Sequence, residues 1–265
     1  MVLFDIDGVI RDVSASYRRA IVETVYQYCG WRPEPEAIDA LKAEGCWNND
    51  WEASRELLRR RRQAVADSAP LPPFHDLVAV FSGHYFGGDP EGDPRAWRGF
   101  IGQEPLQVDG AFFASLSAAG IAWGFVSGAE PPSARFVLEQ RLGLVDPPLI
   151  AMGDAPDKPD PSGLLQLAER LVRDGGGEGL GAAAPPVAYL GDTVADVHTV
   201  LRARERQPDQ AFVSLAVAPP HLHPPTLKTS RQRYEHGLRH AGSDHILQST
   251  ASLLDRLELL GLDHG

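Results

Sequence analysis

Val2-Leu3-Phe4-Asp5-Ile6-Asp7-Gly8-Val9-Ile10 stands at the head of the chain, and its reading decides the fold. Three apolar residues in a row predict a short buried strand. The strand then delivers two carboxylates, Asp5 and Asp7, with a glycine directly after them. Residues two apart share a face within a strand, but at a strand end the chain is already turning, so the two acids can point differently. Like charges this close resist joint ionisation unless a proton or a cation lies between them. Hard oxygen ligands suit magnesium. The competing reading is a strand that simply runs out into a solvated acidic turn.

Working outward, residues 13–30 carry Ala20, Ile21, Val25 and Tyr28 at helical spacing, with Gly30 as a stop. A short helix is expected from Ala37 to Ala43, ending at Gly45. Asn49, with Glu52 three residues on, is placed to cap a further helix that contains Arg59-Arg60-Arg61-Arg62. Residues 74–86 form another apolar helical pattern, and Gly87 to Pro94 a loop. Residues 14–100 therefore read as an all-helical insert.

Beyond Pro105 the pattern alternates. A helix with Phe112, Phe113 and Leu116 precedes a strand over Ile121–Val126, followed by Ser127-Gly128. Leu149-Ile150-Ala151 reads as a third strand, and Asp157-Lys158-Pro159-Asp160-Pro161 as a loop. A helix with Leu164, Leu167, Ala168, Leu171 and Val172 on one face comes next. Residues 174–186, rich in Gly and Ala, predict a mobile surface loop. Val187–Leu190 is the fourth strand, ending in Gly191-Asp192-Thr193-Val194-Ala195-Asp196, and Phe212–Val217 the fifth. His221–Arg233 reads as a Pro-rich loop and Ile246–Leu260 as a closing helix.

Strands alternating with helices predict an α/β fold with a parallel sheet. Ligands of such sheets bind beyond the carboxyl ends of the strands. Asp5 and Asp7 follow strand one, Ser127 strand two, Lys158 lies past strand three and Asp192 follows strand four. That convergence outweighs the bland readings: Lys158 as a surface lysine, Ser127 as a helix N-cap, Asp196 as a helix-terminus acid.

The 265 residues allow one large domain or two small ones. A net charge of −11 argues against a nucleic-acid groove. Cys29 and Cys46 are too few for a disulfide scaffold. No leader or membrane-length apolar run is read, so a cytoplasmic protein without a membrane partner is expected.

Four motifs in order, Asp5-Ile6-Asp7-Gly8-Val9, Ser127-Gly128, Lys158-Pro159-Asp160-Pro161 and Gly191-Asp192-Thr193-Val194-Ala195-Asp196, carry a family resemblance. The chain resembles haloacid dehalogenase (HAD) superfamily hydrolases of subfamily IA with a C1-type helical cap. The resemblance implies a HAD-like Rossmannoid core, residues 1–13 and 101–265, and a helical C1 cap over residues 14–100. Ser127 stands where many members carry Thr, and Gly128 where many carry Asn.

It also implies a magnesium-dependent phosphatase working through an aspartyl-phosphate on Asp5. Asp7 would serve as acid and base, a residue that dehalogenases of the superfamily lack. Lys158 would balance charge, and the Ser127 hydroxyl and Gly128 N–H would hold phosphoryl oxygens. The metal ligands would be Asp5, Asp192 and the backbone carbonyl of Asp7, with Asp196 direct or through water. A phosphomutase of the same fold and a silent phosphometabolite-binding protein are the alternatives.

Substrate choice is expected in the cap, from Asn48, Asn49 and Asp50 between two tryptophans, with Arg11, Ser16 and Tyr17 near the hinge. A capped turn with its tryptophans in the cap core is the competing reading of that stretch. Asp12-Val13-Ser14-Ala15-Ser16-Tyr17 together with Asn48-Asn49-Asp50-Trp51 resembles a small branch of the superfamily, some of whose relatives are fused to a histidine-pathway dehydratase. That implies histidinol phosphate as a substrate, beside phosphoglycolate or a sugar phosphate.

Overall fold

The structure, a computed structural model, describes residues 1–42, 44, 47 and 49–260. The expected helix stop at Gly45, the cysteine Cys46 and the candidate Asn48 lie outside the described residues. The chain divides into two compact units, Met1–Asp12 with Pro105–Gly265, and Val13–Glu104.

The first unit is built on a parallel sheet of six strands: β1 (Val2–Phe4), β2 (Trp123–Val126), β3 (Leu149–Ile150), β4 (Val187–Gly191), β5 (Phe212–Val217) and β6 (His245–Leu247). Their order is β3-β2-β1-β4-β5-β6. The chain works outward from β1 to β3, then returns to the other side of β1 as β4. That reversal puts a topological switch between β1 and β4, where sheets of this kind open a crevice at their carboxyl ends.

Register levels the strand ends, because Phe4 pairs with both Phe125 and Leu190. All three residues of β1 are fully buried. Leu3 faces a core formed with Leu164, Leu167 and Val200 from the helices described below. Phe4 faces the other layer, edge-on to Phe112 and Phe113 with ring centroids 5.8 Å away in each case. A strand buried on both faces reads as an unbroken apolar run, which is why Val-Leu-Phe was informative.

The second unit is helical: α1 (Ser14–Cys29), α2 (Pro35–Lys42), α3 (Asp50–Ala64) and α4 (Phe74–Phe86), then short 3₁₀ turns at Pro94–Ala96 and Phe100–Gln103. Gly30 ends α1 in the left-handed region at φ 67°, as its sequence position predicts. Asn49 caps α3, its side chain accepting from the N–H groups of Trp51 and Glu52. Inside the unit Tyr17 stacks on Tyr85 at 4.7 Å. Ser16 and Tyr85 both donate to the buried carboxylate of Glu104, at 2.5 and 3.2 Å.

Around the sheet run α5 (Gly110–Ala118), α6 (Pro131–Arg135, continuing as a π-helix over Phe136–Arg141), α7 (Ser162–Asp174), α8 (Val194–Arg206) and α9 (Lys228–His240).

Two expectations need correction, and one helix carried no expectation at all. The segment Pro131–Arg141 carries a helix that the sequence reading left unassigned. His221–Arg233 is not a loop throughout: two 3₁₀ turns lead into α9, whose Tyr234 and Leu238 pack on Val197, Leu201, Ala216 and Ile246. The many charges of α9 hide that narrow apolar edge from a periodicity reading. Ile246 and Leu247 belong to β6, paired with Ala216 and Val217, so the closing segment is a strand followed by a 3₁₀ stretch, Ala251–Leu260, broken at Arg256. Asp174 ends α7, and residues 175–186 hold no helix or strand, as expected of a loop. Leu180 N–H donates to Glu169 at 2.8 Å and Gly181 N–H to Gln210 at 3.0 Å.

Candidate active site

Asp5 follows β1 directly, and its N–H donates to the Leu190 carbonyl at 2.9 Å. One carboxylate oxygen accepts the Ile6 N–H at 2.7 Å, and the other faces Lys158 Nζ at 2.9 Å. Both oxygens are thereby oriented by groups that the fold has already placed.

Asp192 follows β4, and Asp196 lies in the first turn of α8. Thr193 and Asp196 form a capping box, in which the Thr193 N–H and hydroxyl donate to one Asp196 oxygen at 2.9 and 2.6 Å. The other Asp196 oxygen accepts Lys158 Nζ at 2.6 Å and lies 3.1 Å from the Tyr189 hydroxyl. The Lys158–Pro159 peptide is cis.

Asp5, Asp192 and Asp196 are all buried, and a carboxylate oxygen from each lies within 4.8 Å of the others. Gly8 makes this approach possible: its φ is 76°, and a Cβ there would fall 2.0 Å from an Asp192 oxygen. Gly191 is equally constrained, since a Cβ would lie 2.2 Å from that of Asp196.

The electrostatics are unbalanced. Burial pushes Asp5 up to about 6, partly opposed by Lys158, with Asp196 and Asp7 adding to the rise. Burial also drives Asp192 well above the carboxylate range, with the charges of Asp196 and Asp5 adding to it. Burial alone would raise Asp196 too, but the Lys158 ammonium and the Thr193 donors outweigh it and hold it below the ordinary value. Burial pulls the Lys158 ammonium down; the carboxylates of Asp5 and Asp196 overcome this and leave it well above its usual value. Three buried carboxylates thus face one ammonium. A hard oxygen donor set with surplus negative charge fits a divalent cation such as magnesium.

Asp7 is not one of the three clustered carboxylates. Its carboxylate accepts Arg11 Nε at 2.7 Å. Ser127 is buried, and its hydroxyl accepts the Ala129 N–H at 3.2 Å, which makes a local turn rather than a helix cap, since α6 begins only at Pro131. Gly128 is exposed beside it. A cavity of about 30 Å³ is bounded by Val126, Ser127, Gly128, Ile150, Lys158 and Gly163.

The structure therefore brings together Asp5, Lys158, Asp192 and Asp196, with Asp7 on the turn after β1 and Ser127 after β2. Among the residues expected to read substrate, Arg11 is fully buried and its guanidinium also donates to Ser133 Oγ at 2.8 Å. Ser16 is buried against Glu104. Tyr17, Asn49 and Asp50 lie in the helical unit, and Asn49 is exposed while it caps α3.

Sequence reading missed three contributors. The Tyr189 hydroxyl lies 3.2 Å from Lys158 Nζ and 2.8 Å from the Val126 carbonyl. Tyr234 donates to the Asp192 carbonyl at 2.9 Å, and Thr250 to the Val9 carbonyl at 2.7 Å. Tyr189 sat inside a buried strand, Tyr234 just past the segment read as a loop, and Thr250 in a segment read as a helix, so nothing marked them.

Residues 1–203 match the model of the haloacid dehalogenase-like hydrolases. The chain belongs to that family. This haloacid dehalogenase-like hydrolase is 28% identical over 197 residues to an imidazoleglycerol-phosphate dehydratase of Phytophthora nicotianae, covering 74% of the chain and 39% of that protein. The chain thus spans about two fifths of the length of that relative.

Among solved structures, the hydrolase is similar to a putative β-phosphoglucomutase of Thermotoga maritima, with a TM-score of 0.63, 16% identity and 97% of both chains covered. It is also similar to phosphatase Tt82 of Thermococcus thioreducens, with a TM-score of 0.58, 21% identity, and 90% and 98% of the two chains covered. At these identities the likeness is one of fold. No helix among the described residues is long and apolar enough to cross a membrane.

Proposed function

We propose that this hydrolase is a magnesium-dependent phosphatase that hydrolyses a small phosphorylated metabolite through an aspartyl-phosphate on Asp5. The observation that carries the reading is the setting of Asp5: buried at the end of the central strand, paired to Lys158 at 2.9 Å, and clustered with Asp192 and Asp196.

Phosphate monoesters hydrolyse extremely slowly unaided. Asp5 would attack phosphorus in line, breaking the bond to the ester oxygen as the new P–O bond forms. Asp7 would give a proton to the departing alkoxide. Asp7 would then take a proton from the water that attacks the phosphorus of the intermediate, releasing inorganic phosphate and restoring Asp5. Lys158 would neutralise charge on Asp5 and the phosphoryl group, while the Ser127 hydroxyl and Gly128 N–H would hold its oxygens.

Asp5, Asp192 and the Asp7 carbonyl would hold the metal. When bound, it would offset the repulsion between two anions and polarise a phosphoryl oxygen. Asp196, with both oxygens engaged by Lys158, Tyr189 and Thr193, is better suited to anchoring Lys158, or to meeting the metal through water, than to direct ligation.

Substrate selection falls to Tyr17, Asn48, Asn49 and Asp50 in this reading, while Ser16 is buried on Glu104 and Arg11 is paired to Asp7. The dehydratase relative is named for an imidazole-bearing phosphate ester. Histidinol phosphate is therefore the first substrate to try, with phosphoglycolate and a sugar phosphate beside it.

The test is Mg²⁺-dependent phosphate release from nitrophenyl phosphate and from that panel. The wild type should turn over at least one ester, and Asp5→Asn should lose about 1000-fold or more. A wild type that binds one of these esters but releases no phosphate would establish the silent binding protein instead. Isomerised phosphosugar in place of free phosphate would establish the mutase.

A further inference from the structure

Arg11 comes first by size among the fully buried side chains of the described residues, and the phosphatase mechanism gives it no task. Its Nε donates to Asp7 at 2.7 Å, and its terminal nitrogen donates to Ser133 Oγ at 2.8 Å, Ser133 being 1% exposed. Backbone bonds set this pairing: the Gly8 N–H donates to the Arg11 carbonyl at 2.9 Å, and the Ile6 carbonyl accepts the N–H groups of Ile10 and Arg11 at 2.7 and 3.1 Å. The loop after β1 therefore folds back on itself and lays Arg11 beside Asp7.

A buried ion pair is weak evidence for a role in stability. Withdrawing charges from water can cost more than their pairing returns, and apolar replacements of buried pairs are often neutral. What the arrangement does achieve is separation. Asp5 is held by Lys158 and Asp7 by Arg11, so two carboxylates two residues apart are paired to different cations.

The geometry points to Arg11 as the positioning residue of Asp7: clamped by Ser133, it holds the Asp7 carboxylate where leaving-group and water protons are exchanged. This rests on the reading of Asp7 as the acid and base of a phosphatase. Arg11 is planar and rigidly forked, and a lysine would not reproduce the hold.

The test uses two esters. Nitrophenoxide departs without needing a proton, whereas an alkoxide needs one. Arg11→Met should lower kcat/KM on an alkyl phosphate by about 100-fold, the scale expected of a misplaced catalytic group, and on nitrophenyl phosphate by less than about threefold. In an Asp7→Asn background Arg11→Met should cost nothing further, because the group it positions is already gone. Ser133→Ala should show the same preference at smaller size, and it carries the test alone should Arg11→Met not fold.

Equal losses on both esters, or losses that add to those of Asp7→Asn, would overturn the proposal and leave Arg11 as part of the core. A wild type inactive on both esters would overturn it together with the function it rests on. Wild-type activity with uniform losses in the variants would overturn the positioning role alone.

Discussion

The phenol of Tyr189 has one proton to give, and its oxygen lies within hydrogen-bond distance of the Val126 carbonyl, an Asp196 oxygen and Lys158 Nζ. Burial drives it well above the ordinary phenol range, so it stays protonated near neutral pH and both gives and accepts. It links β2 to the ion pair behind Asp5. Tyr189→Phe should cost about 1–2 kcal/mol of stability, the size of a lost buried hydrogen-bond partner. Lys158 keeps both of its carboxylates in that variant, so kcat should fall by no more than about tenfold, since the loss is a single neutral hydrogen bond. Urea unfolding and steady-state kinetics check the two halves. Unchanged stability would show that the Val126 and Asp196 oxygens find other donors.

At the scale of an element, α3 shows how charge can brace a helix. Glu56, buried in the sequence Arg55-Glu56-Leu57-Leu58-Arg59-Arg60, accepts from Arg59 Nε and Arg60 Nε at 2.7 Å each. These are the i,i+3 and i,i+4 spacings that meet on a helix surface. Hydrogen bonding from Arg59 holds the Glu56 carboxyl below its ordinary range. A carboxylate depressed on folding adds stability above its unfolded pKa and loses it as pH falls through the folded value. Glu56→Gln should therefore destabilise the helical unit by about 1 kcal/mol at pH 7. The difference should begin to shrink as pH falls past the usual glutamate value, about 4, and should vanish only below the depressed folded value. Denaturant melts of both proteins across that range read it directly. A difference independent of pH would assign the effect to packing.

At the scale of the molecule, the parts of the candidate site come from distant places. Asp5 is supplied by β1, Ser127 by the end of β2, Lys158 by a loop past β3, and Asp192 and Asp196 by β4 and α8. Residues beyond 203, outside the family match, still reach the site, through Tyr234 on the Asp192 carbonyl and Thr250 on the Val9 carbonyl. A cation that binds only the folded cluster stabilises by mass action. Mg²⁺ at about 100 times its dissociation constant should add about 2.7 kcal/mol. Thermal melts with magnesium and then with a chelator should show the gain and its reversal. Asp192→Asn should abolish it, and a shift that survives in that variant would place the cation elsewhere.

Much of the site was legible in the residues themselves. Val2-Leu3-Phe4 announced a strand buried on both faces, because only an unbroken apolar run fits there. Asp196, weighed as an acid of a helix terminus, does lie in the first turn of α8, in a capping box with Thr193 that needs nothing beyond its own turn. These are local rules, and so are the strand ends that place acids on one rim of a parallel sheet. What the sequence could not supply is anything that depends on which strangers become neighbours. Ile246 and Leu247 became a strand only because β5 offered an open edge. The helix of Tyr234 became visible only through the apolar edge that it lays on α8 and β5. Arg11 carries the same chemistry in any context, but burial and the hydroxyl of Ser133, 122 residues away, turned it from a substrate-binding candidate into a clamp on Asp7. Tertiary packing decided these points, since burial and long-range pairing are properties of the folded chain and leave no periodic trace in a segment read alone.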